Sequence, residues 1–167
     1  MNTNELLKKY TRFNVWANTL MCDWLTSKDG RLMDRELKSS FPTVNTTLAH
    51  IWFGEHIWFR RIHGERFENI NLVCEGKPVT FISEGLLRQS MDFMEYTAAL
   101  KAEDLDRMVE YRLFSGETDA SPLADIIHHI MNHGTYHRGQ LVTMGRELGF
   151  EEVPKTDFIH FCRQEKA

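Results

Sequence analysis

The sequence predicts an all-α protein: a four-helix bundle with a short C-terminal helix and a loop or small hairpin before the last long helix. Three observations carry that expectation. Apolar residues recur at three- and four-residue spacing in four long stretches, and turn-forming residues separate those stretches. The 167 residues, 42% hydrophobic and 26% charged, suit one folded domain spanning 1–167.

The first helix is expected over residues 3–25, with Leu6, Tyr10, Phe13, Ala17, Leu20 and Trp24 on its packed face. Lys8, Lys9, Arg12, Asn18 and Asp23 are polar positions around it, and Trp16 reads as packing. Asp29-Gly30 then marks a turn. Ser39 or Ser40 can cap a second helix with Pro42 in its first turn, running to Ile62 and stopping near Gly64. Its apolar arc is wide: Val44, Leu48, Ile51, Trp52, Phe59 and Ile62 share one side. Glu55 falls inside that arc, where a carboxylate needs donors, and a hydrogen bond to the first helix is the simplest source. Gly54 leaves either a close helix crossing or open space beside His50, whereas His56 and His63 point outward.

Residues 64–80 break periodicity and read as a loop with room for a short helix. A third helix follows over 83–101, packed through Leu86, Leu87, Ser90, Phe93, Met94, Thr97 and Leu100. The stretch RMVEYRLFSGETD partly alternates apolar and polar residues around Ser115-Gly116, which suits a hairpin or a plain loop. Ser121-Pro122 is a start signal for the last long helix, with Asp125 in its first turn. After Gly149 and Pro154, a short helix is expected from Thr156 or Asp157.

The last long helix carries the chemistry. Ile126, Ile130, His133, His137, Leu141, Met144 and Leu148 share one face, so two imidazoles one turn apart interrupt an apolar stripe. Spacing alone allows two readings: a pair of metal ligands, or hydrogen-bonded core histidines. A metal would need a third ligand from elsewhere, and His50 beside the arc of the second helix is the strongest internal source. His129, one turn before His133, and Gln140 are candidates for substrate orientation or proton transfer. Arg138 reads as a solvent-facing arginine, with anion binding at a pocket edge as the alternative.

Composition narrows the partners. A net charge of −4 with no long basic run argues against nucleic-acid binding. No span of about 20 apolar residues is present and the N-terminus is polar, so no membrane association and a cytoplasmic location are expected. Cys22, Cys74 and Cys162 form no CxxC pair and read as reduced thiols. The breadth of the apolar arcs makes a homodimer plausible.

Several segments together resemble the DinB-like family of helical bundle proteins: FNVWAN at 13–18, LAHIWFGEHIWFRRI at 48–62, IIHHIMNHGTYHRGQLVTMGRELG at 126–149 and PKTDFI at 154–159. The resemblance implies a four-helix core and a divalent metal, zinc or nickel, held by His50, His133 and His137. It further implies a metal-dependent enzyme acting on a small-molecule substrate, foremost the transfer of a low-molecular-weight thiol to an electrophile. A metal-dependent hydrolase and a non-enzymatic, stress-related metal-binding protein are the alternatives.

Overall fold

A helix begins where Asn2 accepts a hydrogen bond from the Glu5 amide, and this α1 spans Thr3–Thr26. The computed structural model describes residues 2–165. The second helix, α2 (Val44–Ile62), starts later than Ser39 or Ser40 would place it. Thr43 and Thr46 cap each other reciprocally, leaving Pro42 outside the helix. It ends as expected, before Gly64 at a φ of +68°. A single turn, α3 (Ile70–Val73), interrupts the following loop.

Helix α4 (Val79–Ala99) begins four residues before the expected start, because Pro78 occupies its cap position. The alternating stretch is a hairpin: β1 (Met108–Arg112) pairs antiparallel with β2 (Thr118–Pro122), Met108 opposite Pro122 and Arg112 opposite Thr118. Ser121 therefore belongs to a strand and does not cap the next helix; its hydroxyl lies 2.8 Å from the Tyr111 hydroxyl. The last long helix, α5 (Leu123–Glu147), follows directly from Pro122. A short α6 (Phe158–Gln164) closes the described chain. It sets Phe158 and Phe161 edge-on against Phe13 of α1.

α1 and α2 each pack against both α4 and α5, so the four long helices form a square with α1 and α2 on one diagonal. The apolar interior is divided along the bundle. One half gathers Met21, Leu25, Leu48, Ile51, Ile82, Leu86 and Leu141; the other gathers Leu7, Phe93, Leu123, Ile126, Ile127 and Ile130. No described helix is long and apolar enough to cross a membrane.

A polar layer lies between the halves, with a contribution from every long helix. The amides of Asn14 and Asn18 donate to Glu55 Oε1 at 2.8 and 3.0 Å, and the Ser90 hydroxyl donates to Oε2 at 2.7 Å. Arg138 Nη1 donates to the Asn14 and Asn18 carbonyl oxygens, both at 2.8 Å, and Nη2 to Thr135 Oγ1 at 2.9 Å. The two amides thus bridge a guanidinium to a carboxylate. The expected link from Glu55 to the first helix is present.

Arg138 itself corrects the sequence reading, since it is 2% exposed where a solvent-facing side chain is expected. Asn18 is likewise buried, and His56 is packed inside, its Nδ1 3.1 Å from Gln89 Oε1. All three are polar groups that neighbouring helices satisfy, which removes most of the cost of burying them. Along α1 the inward stripe includes Leu7, Asn14, Asn18 and Met21, and Leu6 is exposed.

Candidate metal centre

Three imidazoles from two helices meet at one side of the bundle. Because α2 and α5 run antiparallel, the N-terminal half of α2 faces the middle of α5. His50 is thereby brought to His133, 83 sequence positions away, and to His137 one turn farther on. Ring centroids are 4.9 Å apart for His50 and His133, 4.6 Å for His50 and His137, and 4.4 Å for His133 and His137. Each ring offers one nitrogen such that all three lie within 4.8 Å of one another. His133 Nε2 is 3.0 Å from His50 Nε2.

Those distances suit a shared ion. Zinc–nitrogen bonds of about 2.0–2.1 Å in a tetrahedron separate neighbouring ligand atoms by about 3.3 Å. The protonation state is equally suited. Desolvation, with His137 adding to it, holds His50 down at about 4. Desolvation, followed by the neighbouring His137, His50 and His129, brings His133 to about 3. His137 is also lowered by burial, with its bond to Gln140 acting in the other direction. At neutral pH the rings accordingly keep the lone pairs that a cation requires.

Local sequence explains how the rings fit. A Cβ at Gly54 would lie 2.5 Å from His133 Cε1 and 2.7 Å from its Nδ1. Gly54 is the gap in α2 that receives the His133 ring, so the close crossing and the room beside a histidine are one feature. Phe41, in the connection before α2, stacks on His50 with centroids 3.9 Å apart and meets His137 edge-on at 5.6 Å. It covers one side of the cluster with an apolar ring.

Gln140 touches the cluster directly: its Oε1 accepts from His137 Nδ1 at 2.7 Å, which leaves Nε2 of that ring as the lone-pair nitrogen. Gln140 also lines a cleft of about 430 Å³ with Lys38, Ser39, Ser40 and Tyr136. His129 is farther out, its ring 6.1 Å from His133 and 5.4 Å from Trp58. It borders the cluster without a hydrogen bond to the triad. Sequence reasoning missed Phe41, which lies outside any periodic segment. The inward direction of Glu55 was the one sign of the neighbouring polar layer.

Known proteins share this arrangement of helices. The chain is 25% identical over 169 residues to Protein DinB of Bacillus subtilis strain 168, covering 95% of this chain and 96% of that protein. It is similar in fold to a DinB-like protein from Bacillus cereus ATCC 10987, with a TM-score of 0.65, 18% identity, and coverage of 83% of this chain and 89% of that one. YfiT from Bacillus subtilis, described as a probable metal-dependent hydrolase with an unusual four-helix bundle topology, superposes with a TM-score of 0.71 at 11% identity. That match covers 88% of this chain and 90% of that one. The DinB family model matches residues 1–166, from the first long helix through the last short one and including all three histidines, and the chain belongs to the DinB family.

Proposed function

We propose that the protein is a divalent-metal-dependent enzyme acting on a small electrophilic molecule, with His50, His133 and His137 as the ligands. The convergence of three neutral imidazoles on one point carries the reading. When bound, a divalent ion at this set supplies Lewis acidity, lowering the pKa of a nucleophile or polarising an electrophile. Three neutral ligands leave its double charge uncompensated, which favours an anionic partner at a remaining position. Imidazole donors suit both zinc and nickel.

The chain's own residues supply the rest. Gln140 fixes the His137 ring and presents its amide to the adjoining cleft, where it can orient a substrate. Phe41 excludes water from one side of His50. His129, lowered first by burial and then by Arg61, is neutral at pH 7 and able to accept a proton at the rim.

Hydrolysis, with water as the nucleophile, is the reading we favour, supported by the likeness in fold to a protein described as a probable metal-dependent hydrolase. Transfer of a low-molecular-weight thiol is the second, supported by the sequence resemblance and the same open-position logic. One experiment separates them: metal-loaded protein is given an ester and an electrophile panel with and without added thiol. Ester cleavage without thiol marks the hydrolase, and thiol-dependent loss of the electrophile marks the transferase. Either activity should vanish in His50→Ala. Equal metal content in wild type and His50→Ala would overturn the ligand assignment, and chelation that unfolds the protein, with no turnover of any substrate, would favour a stabilising metal.

A further inference from the structure

A second cleft opens at the far side of His129, between the C-terminal end of α2 and the hairpin, with a volume of about 590 Å³. Its centre is Arg61. The guanidinium carbon lies 4.6 Å from the centroid of the Trp58 ring, 5.1 Å from Tyr111, 5.7 Å from Phe114 and 6.0 Å from Phe67. Aromatic faces attract a cation but accept no strong hydrogen bond in the plane of the fork. Nη2 donates to the Arg112 carbonyl at 2.7 Å, and Nε is buried with no partner.

Among the described residues, no carboxylate pairs with Arg61. Glu65, which lines the same cleft, is engaged by Arg60, and Arg66 and Arg112 at the walls outnumber the remaining Glu110. Burial lowers the Arg61 pKa, consistent with a cation held partly out of water. The rings beside it are not themselves covered: Phe114 is 77% exposed and Phe67 38%. A partly desolvated guanidinium whose Nη1 has no partner among the described residues, next to open aromatic surface, matches a ligand with one anionic end and one apolar end.

We infer that Arg61 and the rings around it form a binding subsite for a small-molecule oxyanion, a carboxylate or phosphate joined to an apolar body that rests on Phe67 and Phe114. Trp58 connects this subsite to the candidate metal centre, since its ring meets Tyr111 at 4.8 Å on one side and His129 at 5.4 Å on the other. The inference rests on the metal-centre reading only in making this the anchor of the substrate whose other end faces the histidines. Anion recognition itself involves none of the three ligands.

The test uses 3-phenylpropionate, its neutral amide and inorganic phosphate as probes, followed by the NMR signal of the Trp58 indole N–H. The acid should shift that signal and bind at least about tenfold more tightly than the amide. Arg61→Gln should remove that advantage, Arg61→Lys should keep part of it, and His50→Ala should leave it intact. Phosphate competing with the acid would identify the charge alone as the determinant; failure to compete would assign the affinity to charge and ring together. Acid and amide binding equally, or Arg61→Gln retaining full acid affinity, would overturn the subsite. Should Arg61→Gln disturb the hairpin that Nη2 holds, the wild-type comparison in rising salt decides: acid binding must weaken and amide binding must not. Loss of metal in His50→Ala is scored separately, so the two readings can fail independently.

Discussion

The bundle holds two polar clusters less than two helical turns apart, one buried between its halves and one half-buried at its side, and they treat their polar atoms differently. In the layer around Glu55 and Arg138, carboxylate, guanidinium and both amides bond to one another, all within the chain. In the histidine cluster, only His137 has its second ring nitrogen bonded to another described side chain, and the facing nitrogens of His50 and His133 are both potential donors to a cation. A closed hydrogen-bond account marks a structural cluster, and an open one facing a cleft marks a binding site.

The comparison predicts opposite responses to mutation. Glu55→Ala leaves the Asn14 and Asn18 amides and the Ser90 hydroxyl without their carboxylate acceptor and removes the acidic group nearest the buried Arg138, and should lower unfolding free energy by about 3–5 kcal/mol in denaturant titration. His133→Ala should do the reverse in kind. Metal affinity, measured by competition with a chromogenic chelator, should fall beyond the roughly 100-fold typical of losing an outer partner. The stability of its metal-free form should change far less than that of Glu55→Ala.

Gly54→Ala joins the two regions, because its new methyl occupies the space of the His133 ring. Overpacking of about 1–3 kcal/mol exceeds the roughly 1 kcal/mol gained in helix propensity, and metal affinity should fall with stability. A variant that binds metal normally would show that His133 has another seat. Gln140→Ala should be selective, reducing metal affinity or turnover by roughly 10–100-fold at nearly unchanged stability.

The two clusters also differ in how their stability depends on pH. In metal-free protein, His50 and His133 stay neutral below pH 6.5 while the unfolded chain takes up protons. Stability should therefore drop as pH falls from 6.5 toward about 4, where His50 titrates, and on toward about 3 for His133. Glu55, raised by burial, has the opposite sign: its contribution is present below 4.5 and is lost as pH rises through its folded value. Thermal melts of wild type, His50→Ala and Glu55→Gln across pH 4–8 separate the two slopes.

The bundle was legible because Leu86, Phe93, Ile126 and Leu141 obey a helical period whatever surrounds them. The triad was legible for a different reason, since imidazoles on an apolar stripe need a partner and the resemblance pointed to His50. What escaped is polar and buried. On α1, Asn14 and Asn18 occupy the inward face, so a search for apolar residues settles on Leu6 and Leu20 to one side of the true stripe. Whether Arg138 faces water or a pair of buried asparagines depends on residues more than 100 positions away, which no local pattern contains.

The Glu55 layer also has a mechanical consequence. Sliding α5 along the bundle by one turn, about 5.4 Å, would carry Arg138 off its two asparagines and strand it among hydrocarbon. A purely aliphatic seam would tolerate that displacement more cheaply. The bridged layer serves as an index mark between helices, and His133 and His137, five residues and one residue away on the same rod, inherit their alignment from it.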